Sequence, residues 1–501
     1  MPYLDQKNVK REWFAYLIIF LIVKISLLFS IPLLDDEAYF ISWGRSFDLG
    51  YYDHPPMIGW ITGLISFISS SHLVMRIFPL FTILVISLLI YRLLKNYQRE
   101  KAKWISLLFF MSVSSVMHVP ALNDTALLLF GSLSLYHFLK DTEETSRKNL
   151  LLCCLFMSLA FMAKYFAAFL GIVYLITYAF RKPKRILEYL LWTVVFVSPA
   201  LAAQFYWNYE NCWNNIMFNV INRHSGKSSF ELFTFLATIA IFLNPAVFWY
   251  SLKLKPIKIK TAAVSKLFWL LSLTIFGLIS LKTLVGAHWV LVFLIPPYLV
   301  LAKLKKKTLV NVARFSAIFS LVFSAFVFFA LNRAEDFAYS RGKDYSYYQH
   351  FFHTEEVCKI AKENIPEGYT FMADGYSPAS VFSNICGDYV PVIFHKGVYG
   401  RQSDSIIDFR EFDGKNIAIY SDINDGSGYE KYFESVERIR VPLRKADVKI
   451  LLGKGFKYEM YKENVLLDIL NKFYKIPDFL PYGKCYFHDK YFPEAAGHSA
   501  K

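Results

Sequence analysis

Long apolar segments recur through the first 331 residues of the chain, separated by short polar stretches. The hydrocarbon core of a bilayer is about 30 Å thick and needs about 20 mainly apolar residues per helix. The pattern therefore predicts a polytopic α-helical membrane protein with about eleven transmembrane helices. Their approximate bounds are 13–34, 73–94, 102–120, 123–139, 149–164, 166–180, 186–206, 230–252, 264–281, 286–302 and 309–331.

After residue 331 the apolar runs shorten and turn signals such as Asp374-Gly375 appear. Residues 332–501 are therefore predicted to form a separate domain of mixed α/β structure. The expected elements are helices near 353–364 and 377–385 and strands near 369–373, 416–420 and 447–452.

Composition agrees with a membrane location, because 55% of the residues are apolar and only 19% are charged. Lys and Arg near membrane segments favour the cytoplasmic side. The loops alternate between two sets: the set that includes the N-terminus carries twenty-four Lys and Arg residues, and the other set carries six. This predicts a cytoplasmic N-terminus and an outer, periplasmic C-terminal domain. The first span is too long for a signal peptide and is expected to be an uncleaved anchor. We interpret the net charge of +15 as an orientation signal, with no nucleic-acid partner.

Six cysteines divide by predicted compartment. Cys153 and Cys154 lie within a span, whereas Cys212, Cys358, Cys386 and Cys485 would face an oxidising space. Two of the last three could form a disulfide. Their spacing is not typical of a zinc site.

The first outer segment, residues 35–72, contains the most unusual polar run in the chain. Asp35-Asp36-Glu37-Ala38-Tyr39 leaves the first span, and Gly50-Tyr51-Tyr52-Asp53-His54-Pro55-Pro56 follows. Three acids at this depth are costly unless they bind something. The alternative is a solvated helix end or a cap for a following interfacial helix. His54 would lie at headgroup height, where it could meet a lipid phosphate or make a structural hydrogen bond.

Other polar residues are predicted at the outer ends of later spans. Asn123 and Asp124 open the fourth span, with helix capping as the alternative. We expect these charges to surround one outer surface at headgroup level, apart from Lys24, which lies inside the first span and should face the bundle. The remaining candidates are Arg45, Lys164, Trp207, Arg223, Lys282 and His288.

The first-segment motifs resemble the bacterial protein-mannosyltransferase-like family, glycosyltransferase family 39, and its aminoarabinose-transferase relatives. Weaker matches are Asn123-Asp124, Lys164-Tyr165, Trp207-Asn208, His288-Trp289 and Gly400-Arg401-Gln402-Ser403. The resemblance implies the C-type glycosyltransferase fold. It also implies inverting transfer of a sugar from undecaprenyl phosphate at the outer face of a bacterial inner membrane.

The resemblance also implies roles for individual residues. Asp36, Glu37 and Asp124 would be the catalytic acids. His54, with Asp53 beside it, would meet the donor phosphate. Apart from the resemblance, a predicted position at the outer surface makes Arg45, Lys164, Lys282 and Arg223 candidates for contact with the donor phosphate and lipid, and Asp35, Tyr39, Tyr52, Asn123, Trp207 and His288 candidates for contact with the sugar or acceptor. His54, Asp53 and Tyr39 stand where the aminoarabinose transferases carry Lys, Glu and Arg. These departures leave a hexose, a hexosamine or an aminopentose open as the donor sugar.

A glycosyl phosphate already has a good leaving group, so cations that stabilise phosphate matter more than a strong acid. Asp36 would deprotonate a hydroxyl acceptor, or orient a phosphate acceptor. No cofactor is required, although the acids could hold a divalent cation. The first choice of acceptor is lipid A. The second choice is Ser or Thr of a secreted protein. Three other functions are left open for the chain: a surface-polysaccharide ligase or polymerase, a polyprenyl-linked glycan transporter or flippase, and a membrane receptor.

Overall fold

The computed structural model describes residues 6–222, 230–255, 260–340, 343–421 and 427–493. Contacts divide the chain into two compact units that interleave in sequence. We call them the helical unit and the mixed unit. The helical unit comprises Met1–Ser30, Leu73–Ala202 and Lys227–Ala330, and the mixed unit comprises Ile31–His72, Ala203–Gly226 and Leu331–Lys501. The first outer segment is thus grouped with the C-terminal region.

The helical unit is built from the apolar segments that the sequence marks out. Its α-helices, two of which continue past the unit's boundary, are Gln6–Ser30, Ile77–Met111, Val113–Val116, Asn123–Glu143, Arg147–Ala163, Ala167–Arg181, Ile186–Glu210, Leu232–Leu243, Pro245–Lys253, Lys260–Ile279, Pro296–Val300 and Lys306–Ser340. Short 3-10 helices occur at Pro183–Arg185, Ala287–Leu294 and Leu301–Lys303. The prediction of a polytopic helical protein is confirmed at this coarse level.

Among the described residues, five helices are long and apolar enough to cross a membrane, or six if one bent pair counts as a single span. That pair, Leu232–Leu243 and Pro245–Lys253, bends by 104° at Asn244, whose φ of 82° is left-handed. The predicted span 286–302 is a mixture of 3-10 and short α-helix, because Pro296 and Pro297 lack the amide hydrogens of a continuous helix. The count of eleven spans stays a prediction.

The mixed unit contains short helices around one small sheet. Its α-helices are Asp35–Trp43, Met57–Ser66, Asn214–Ile216, Lys343–Phe352, Thr354–Asn364, Tyr376–Ile385, Ser403–Ile406, Tyr458–Tyr461, Leu467–Ile469 and Tyr486–Tyr491, and His72–Met75 lies at its boundary. The 3-10 turns are Phe409–Phe412 and Glu430–Tyr432, and π-helical turns occur at Met217–Ile221, Lys462–Leu466 and Leu470–Tyr474. The predicted helices near 353–364 and 377–385 are confirmed.

Four strands form the sheet: β1 Tyr369–Ala373, β2 Asn416–Tyr420, β3 Ser435–Leu443 and β4 Ala446–Lys454, in the order β1-β2-β4-β3. β1 and β2 are parallel, with Tyr369 opposite Asn416, and the other two pairings are antiparallel. The predictions for β1, β2 and β4 are confirmed. The sequence did not predict β3, because this edge strand alternates Glu437, Arg438 and Arg440 with its apolar residues.

Two disulfides lie within the mixed unit. Cys358 pairs with Cys386, which is one of the pairings that the sequence left open, and Cys212 pairs with Cys485. The second bond links the segment 203–226 to the C-terminal region. Cys153 and Cys154 are buried and not disulfide-bonded.

Candidate active site

The three consecutive acids form the first turn of the helix Asp35–Trp43. The amide dipoles at a helix N-terminus favour negative charge there, which accounts for their placement. Their environments nevertheless differ: Asp36 is exposed, Asp35 is half-buried and Glu37 is fully buried. Asp36 is therefore the carboxylate of this turn with the greatest access to a solvent-borne or lipid-borne substrate.

A close approach of two short helices shapes the loop after these acids. A Cβ atom at Gly44 would lie 2.6 Å from the backbone nitrogen of Gly63, so glycine is required at this crossing. Tyr51 then folds back over Trp43, with the ring centroids 4.4 Å apart, and its hydroxyl donates to the Trp43 carbonyl at 3.0 Å. This packing returns the chain so that residues 50–54 lie beside the helix Asp35–Trp43.

Side-chain amides hold the backbone of residues 49–53 in place. Gln204 Nε2 donates to the Leu49 carbonyl at 2.6 Å, and Asn215 Nδ2 donates to the Tyr51 carbonyl at 2.8 Å. Asn219 Nδ2 donates to the Asp53 carbonyl at 2.8 Å. These contacts fix the backbone that carries Tyr52, Asp53 and His54, which is how an enzyme preorganises a polar site.

Gln402, from the C-terminal region, joins the two parts of the first segment. Its side-chain Oε1 accepts from the backbone N–H of Tyr52 at 2.7 Å, and its backbone N–H donates to the Tyr39 hydroxyl at 3.1 Å. On the other side, Asn384 Nδ2 donates to the Ala38 carbonyl at 2.9 Å. The sequence singled out 400–403 as a weak motif, but gave no sign that Gln402 would bind Tyr52.

Tyr39, Tyr52 and Asp53 form a buried polar group within this segment. Burial raises the pKa of both tyrosines well above the ordinary value, and the nearby Asp53 carboxylate adds to the effect at Tyr39. Both hydroxyls therefore stay protonated at neutral pH. The Tyr52 hydroxyl is buried and has no hydrogen-bond partner among the described residues.

The ring of His54 is half-buried between two phenylalanines, 5.9 Å from the Phe40 centroid and 6.2 Å from the Phe218 centroid. Trp207 lies under the same loop, because a Cβ atom at Gly50 would be 2.6 Å from its Cδ2. Arg45 is exposed, and its Nη2 donates to the Ser383 carbonyl. Arg223 lies outside the described residues.

The remaining candidates belong to the helical unit. Asp124 Oδ1 accepts from Lys164 Nζ at 2.8 Å, and both side chains are buried. Asp124 thus forms an ion pair, and the helix Asn123–Glu143 has no side-chain cap, contrary to the capping alternative. Lys164 also lies 5.8 Å above the Phe166 ring. Asn123 is buried, whereas Lys282 and His288 are exposed.

Lys24 faces the interior of the helical unit, as the sequence predicts, where its Nζ donates to Ser115 Oγ at 2.8 Å. Each unit therefore assembles its own set of predicted residues. The convergence of both sets on one outer surface stays a prediction. Within the described ranges, no group of three or more His, Cys, Asp or Glu side chains is placed to hold a metal ion.

Comparison with known proteins finds similarity to glycosyltransferases over part of the chain. Residues 53–207 match the family described as dolichyl-phosphate-mannose-protein mannosyltransferase. A lipid A galacturonosyltransferase, RgtD of Rhizobium johnstonii, is 27% identical over 141 residues. That match covers 27% of this chain and 29% of the relative, so the chain aligns with less than a third of the relative's length.

Two solved structures share the fold over most of the chain. ArnT from Cupriavidus metallidurans bound to undecaprenyl phosphate has a TM-score of 0.59 at 12% identity, covering 87% of this chain and 97% of that one. Its apo form has a TM-score of 0.59 at 13% identity, covering 87% and 98%.

The chain therefore has the fold of ArnT over most of its length, and residues 53–207 are similar to the mannosyltransferase family. This partial similarity, to a mannosyltransferase family and to a lipid A galacturonosyltransferase, agrees with the resemblance that the first-segment motifs carry.

Proposed function

We propose that this protein is an inverting glycosyltransferase that moves a sugar from undecaprenyl phosphate to an acceptor at the outer face of a bacterial inner membrane. The single observation that carries this proposal is the placement of Asp36. It is an exposed carboxylate on a helical turn whose neighbour Glu37 is buried, beside a loop held by Asn215, Asn219 and Gln402. An accessible carboxylate beside a loop fixed by hydrogen bonds suits general-base catalysis.

In the proposed reaction, an acceptor hydroxyl attacks the anomeric carbon from the face opposite the phosphate. Asp36 takes the hydroxyl proton, the bond from the anomeric carbon to the phosphate oxygen breaks, and the lipid phosphate leaves as an anion. His54 lies beside the aromatic wall of Phe40 and Phe218 and would donate a hydrogen bond to the departing phosphate. The buried Tyr52 hydroxyl, a protonated donor, would contact the sugar.

Replacing Asp36 with Asn tests the proposal. General-base catalysis typically contributes 10²- to 10⁴-fold, and we expect transfer by the purified variant to fall by about that factor. Asp48→Asn is the matched control, because Asp48 is an exposed acid of the same segment with no proposed role. Near-normal transfer by well-folded Asp36→Asn protein would remove Asp36 from the base role.

We propose lipid A as the acceptor, supported by the local similarity to a lipid A galacturonosyltransferase. The sugar stays open among a hexose, a hexosamine and an aminopentose. Mass spectrometry of lipid A from cells with and without the protein should show a mass difference equal to the transferred residue. An unchanged spectrum would favour the second candidate, transfer to Ser or Thr, which the matched mannosyltransferase family supports.

The proposal also requires the membrane arrangement that the sequence predicts: about eleven spans, a cytoplasmic N-terminus and a periplasmic C-terminal domain. Cysteine placed at the exposed position 48 should react with an impermeant thiol reagent added to intact spheroplasts. Cysteine at the exposed position 307, in a predicted cytoplasmic loop, should react only after lysis. The opposite result at either position would contradict this arrangement. No cofactor is proposed, and loss of transfer on chelation would instead establish a divalent cation.

A further inference from the structure

A cavity of about 750 Å³ lies within the helical unit, where two long helices meet both arms of a third that is kinked at Gln98. The helices are Gln6–Ser30, Ile77–Met111 and Lys306–Ser340. The cavity meets the first near its beginning, the second on both sides of Gln98, and the third at its first residue. Lys10, Lys103 and Lys306 are among the cations that the sequence assigns to the cytoplasmic side, and the other lining residues lie in or beside the adjoining ends of predicted spans. The candidate acids belong to predicted outer segments instead.

The polar part of the cavity carries excess positive charge. Lys10, Lys103 and Lys306 line it together with one acid, Glu100. Glu100 is already paired, with its Oε1 2.8 Å from Lys103 Nζ. Within the part of the chain that the structure describes, neither Lys10 nor Lys306 has a carboxylate within ion-pairing distance of 4.0 Å. Lys306 also interacts electrostatically with Glu100, so the three lysines and one acid leave an excess of two positive charges for an anion.

The rest of the cavity is aromatic and apolar. Trp104 is buried in its wall, and Trp13 beside it donates from Nε1 to the Lys103 carbonyl at 3.1 Å. Phe14 and Leu88 also line the cavity and are 48% and 45% exposed. A free inorganic anion has no use for such a surface, whereas an amphiphile does.

Two exposed apolar stripes lead away from the cavity at helical spacing. Phe14, Ile18 and Ile22 follow one another on the first helix, and Leu88, Leu84 and Phe81 follow on the second. Residues three or four apart lie on one helix face, so each stripe is continuous over about 10–12 Å. This length matches the upper part of an acyl chain that begins at the cavity.

The helices are held together by other groups. Arg314 forms a two-point pair with Glu12, at 2.7 Å from Nε to Oε1 and 2.9 Å from Nη2 to Oε2. Lys101 Nζ donates to the Ala302 carbonyl at 3.2 Å. Since neither Lys10 nor Lys306 takes part in these contacts, the assembly of the helices does not account for their positions.

We propose that this cavity binds the phosphate headgroup of an anionic phospholipid, with its acyl chains along the two stripes. Lys10 and Lys306 contact the phosphate, and the aromatic wall packs against the glycerol backbone. Basic pockets between transmembrane helices on the cytoplasmic side are suited to such headgroups. The site does not depend on the proposed glycosyl transfer.

The test compares lipid binding by full-length protein and two double variants in neutral detergent, using native mass spectrometry and the rise in Tm on adding phosphatidylglycerol. Lys10→Gln/Lys306→Gln should bind phosphatidylglycerol about thirtyfold more weakly and lose most of the Tm rise. The control, Lys95→Gln/Lys307→Gln, removes two exposed lysines of the same charge outside the cavity. It should bind as the wild type does, and phosphatidylcholine should give no Tm rise.

Equal losses in the two double variants would overturn the proposal, since they would indicate general charge attraction. An equal Tm rise with inorganic phosphate, or preferential retention of undecaprenyl phosphate at the cavity, would also overturn it. If the double variant cannot be recovered folded, Lys10→Gln alone changes an exposed position and should weaken phosphatidylglycerol binding about fivefold. Unchanged binding by that variant would contradict the proposal.

Discussion

The buried ion pair between Asp124 and Lys164 can be tested for a structural and a chemical role at the same time. Its atoms are 2.8 Å apart, and the two side chains are 7% and 5% exposed. Replacing Asp124 with Asn would leave the Lys164 ammonium buried without its carboxylate. Removing one partner of a buried pair typically costs about 3–5 kcal/mol, because the remaining charge is desolvated and uncompensated.

We expect Asp124→Asn to lower the free energy of unfolding by about that amount, and Lys164→Met to do the same. The double variant Asp124→Asn/Lys164→Met carries no buried charge and should be less destabilised than either single variant, which corresponds to a coupling energy above about 3 kcal/mol. Unfolding by dodecyl sulfate in mixed micelles measures all three. Lys472 and Asp468 provide the control, because they are also 2.8 Å apart but are 51% and 33% exposed. Asp468→Asn should cost about 1 kcal/mol or less.

Single-variant losses below about 1 kcal/mol, with no coupling, would refute this reasoning. Transfer activity then separates the two roles. A folded double variant that retains activity would limit Asp124 to holding Lys164 in place. A folded double variant without activity would support the predicted participation of this pair in the reaction.

Three further predictions concern the mixed unit. Gln402→Ala leaves the Tyr52 amide without its acceptor, so it should lower the free energy of unfolding by about 1–3 kcal/mol and reduce transfer. Gln402→Glu keeps an oxygen at that place and should retain most activity. Equal activities of the two variants would contradict the positioning role. The double variant Cys358→Ser/Cys386→Ser removes a disulfide between residues 28 positions apart, and chemical unfolding should show a loss of about 3–4 kcal/mol in the free energy of unfolding. A loss below about 1 kcal/mol would contradict this prediction. Burial and the nearby Arg401 lower the pKa of His395 to about 4. The contribution of this residue to stability should therefore be full above pH 6.5 and fall as the pH drops towards 4, and His395→Gln should flatten this dependence. Equal acid-unfolding profiles of the variant and the wild type would contradict the lowered pKa.

Most elements were predictable where local sequence determines them. The apolar runs that form Gln6–Ser30, Asn123–Glu143 and Lys260–Ile279 are near the lengths that the hydropathy pattern gives. β1 and β2 are short apolar strands between turn residues and were predicted with their bounds. β3 was missed because an edge strand with one solvated side has the composition of a polar loop.

The Asp124 and Lys164 pair shows how far spacing alone reaches. The helices Asn123–Glu143 and Arg147–Ala163 are joined by a short turn and pack antiparallel, as the bond from Ser134 Oγ to the Cys153 carbonyl shows. Asp124 lies twenty residues before Glu144 and Lys164 twenty residues after it, so the two lie at the same height on the hairpin. The sequence therefore contained this pairing, although we predicted the two residues only separately.

The sequence by itself determined the apolar helices, the acidic first turn at Asp35–Glu37 and the resemblance to a glycosyltransferase family, because each depends on residues close together in the chain. Only the tertiary structure decided which acid of that turn is exposed, and which amides hold the loop beside it. Gln402 and Tyr52 are 350 positions apart, and no local pattern encodes a hydrogen bond across that separation. Such contacts arise when distant segments pack together, which buries Glu37 and leaves Asp36 accessible.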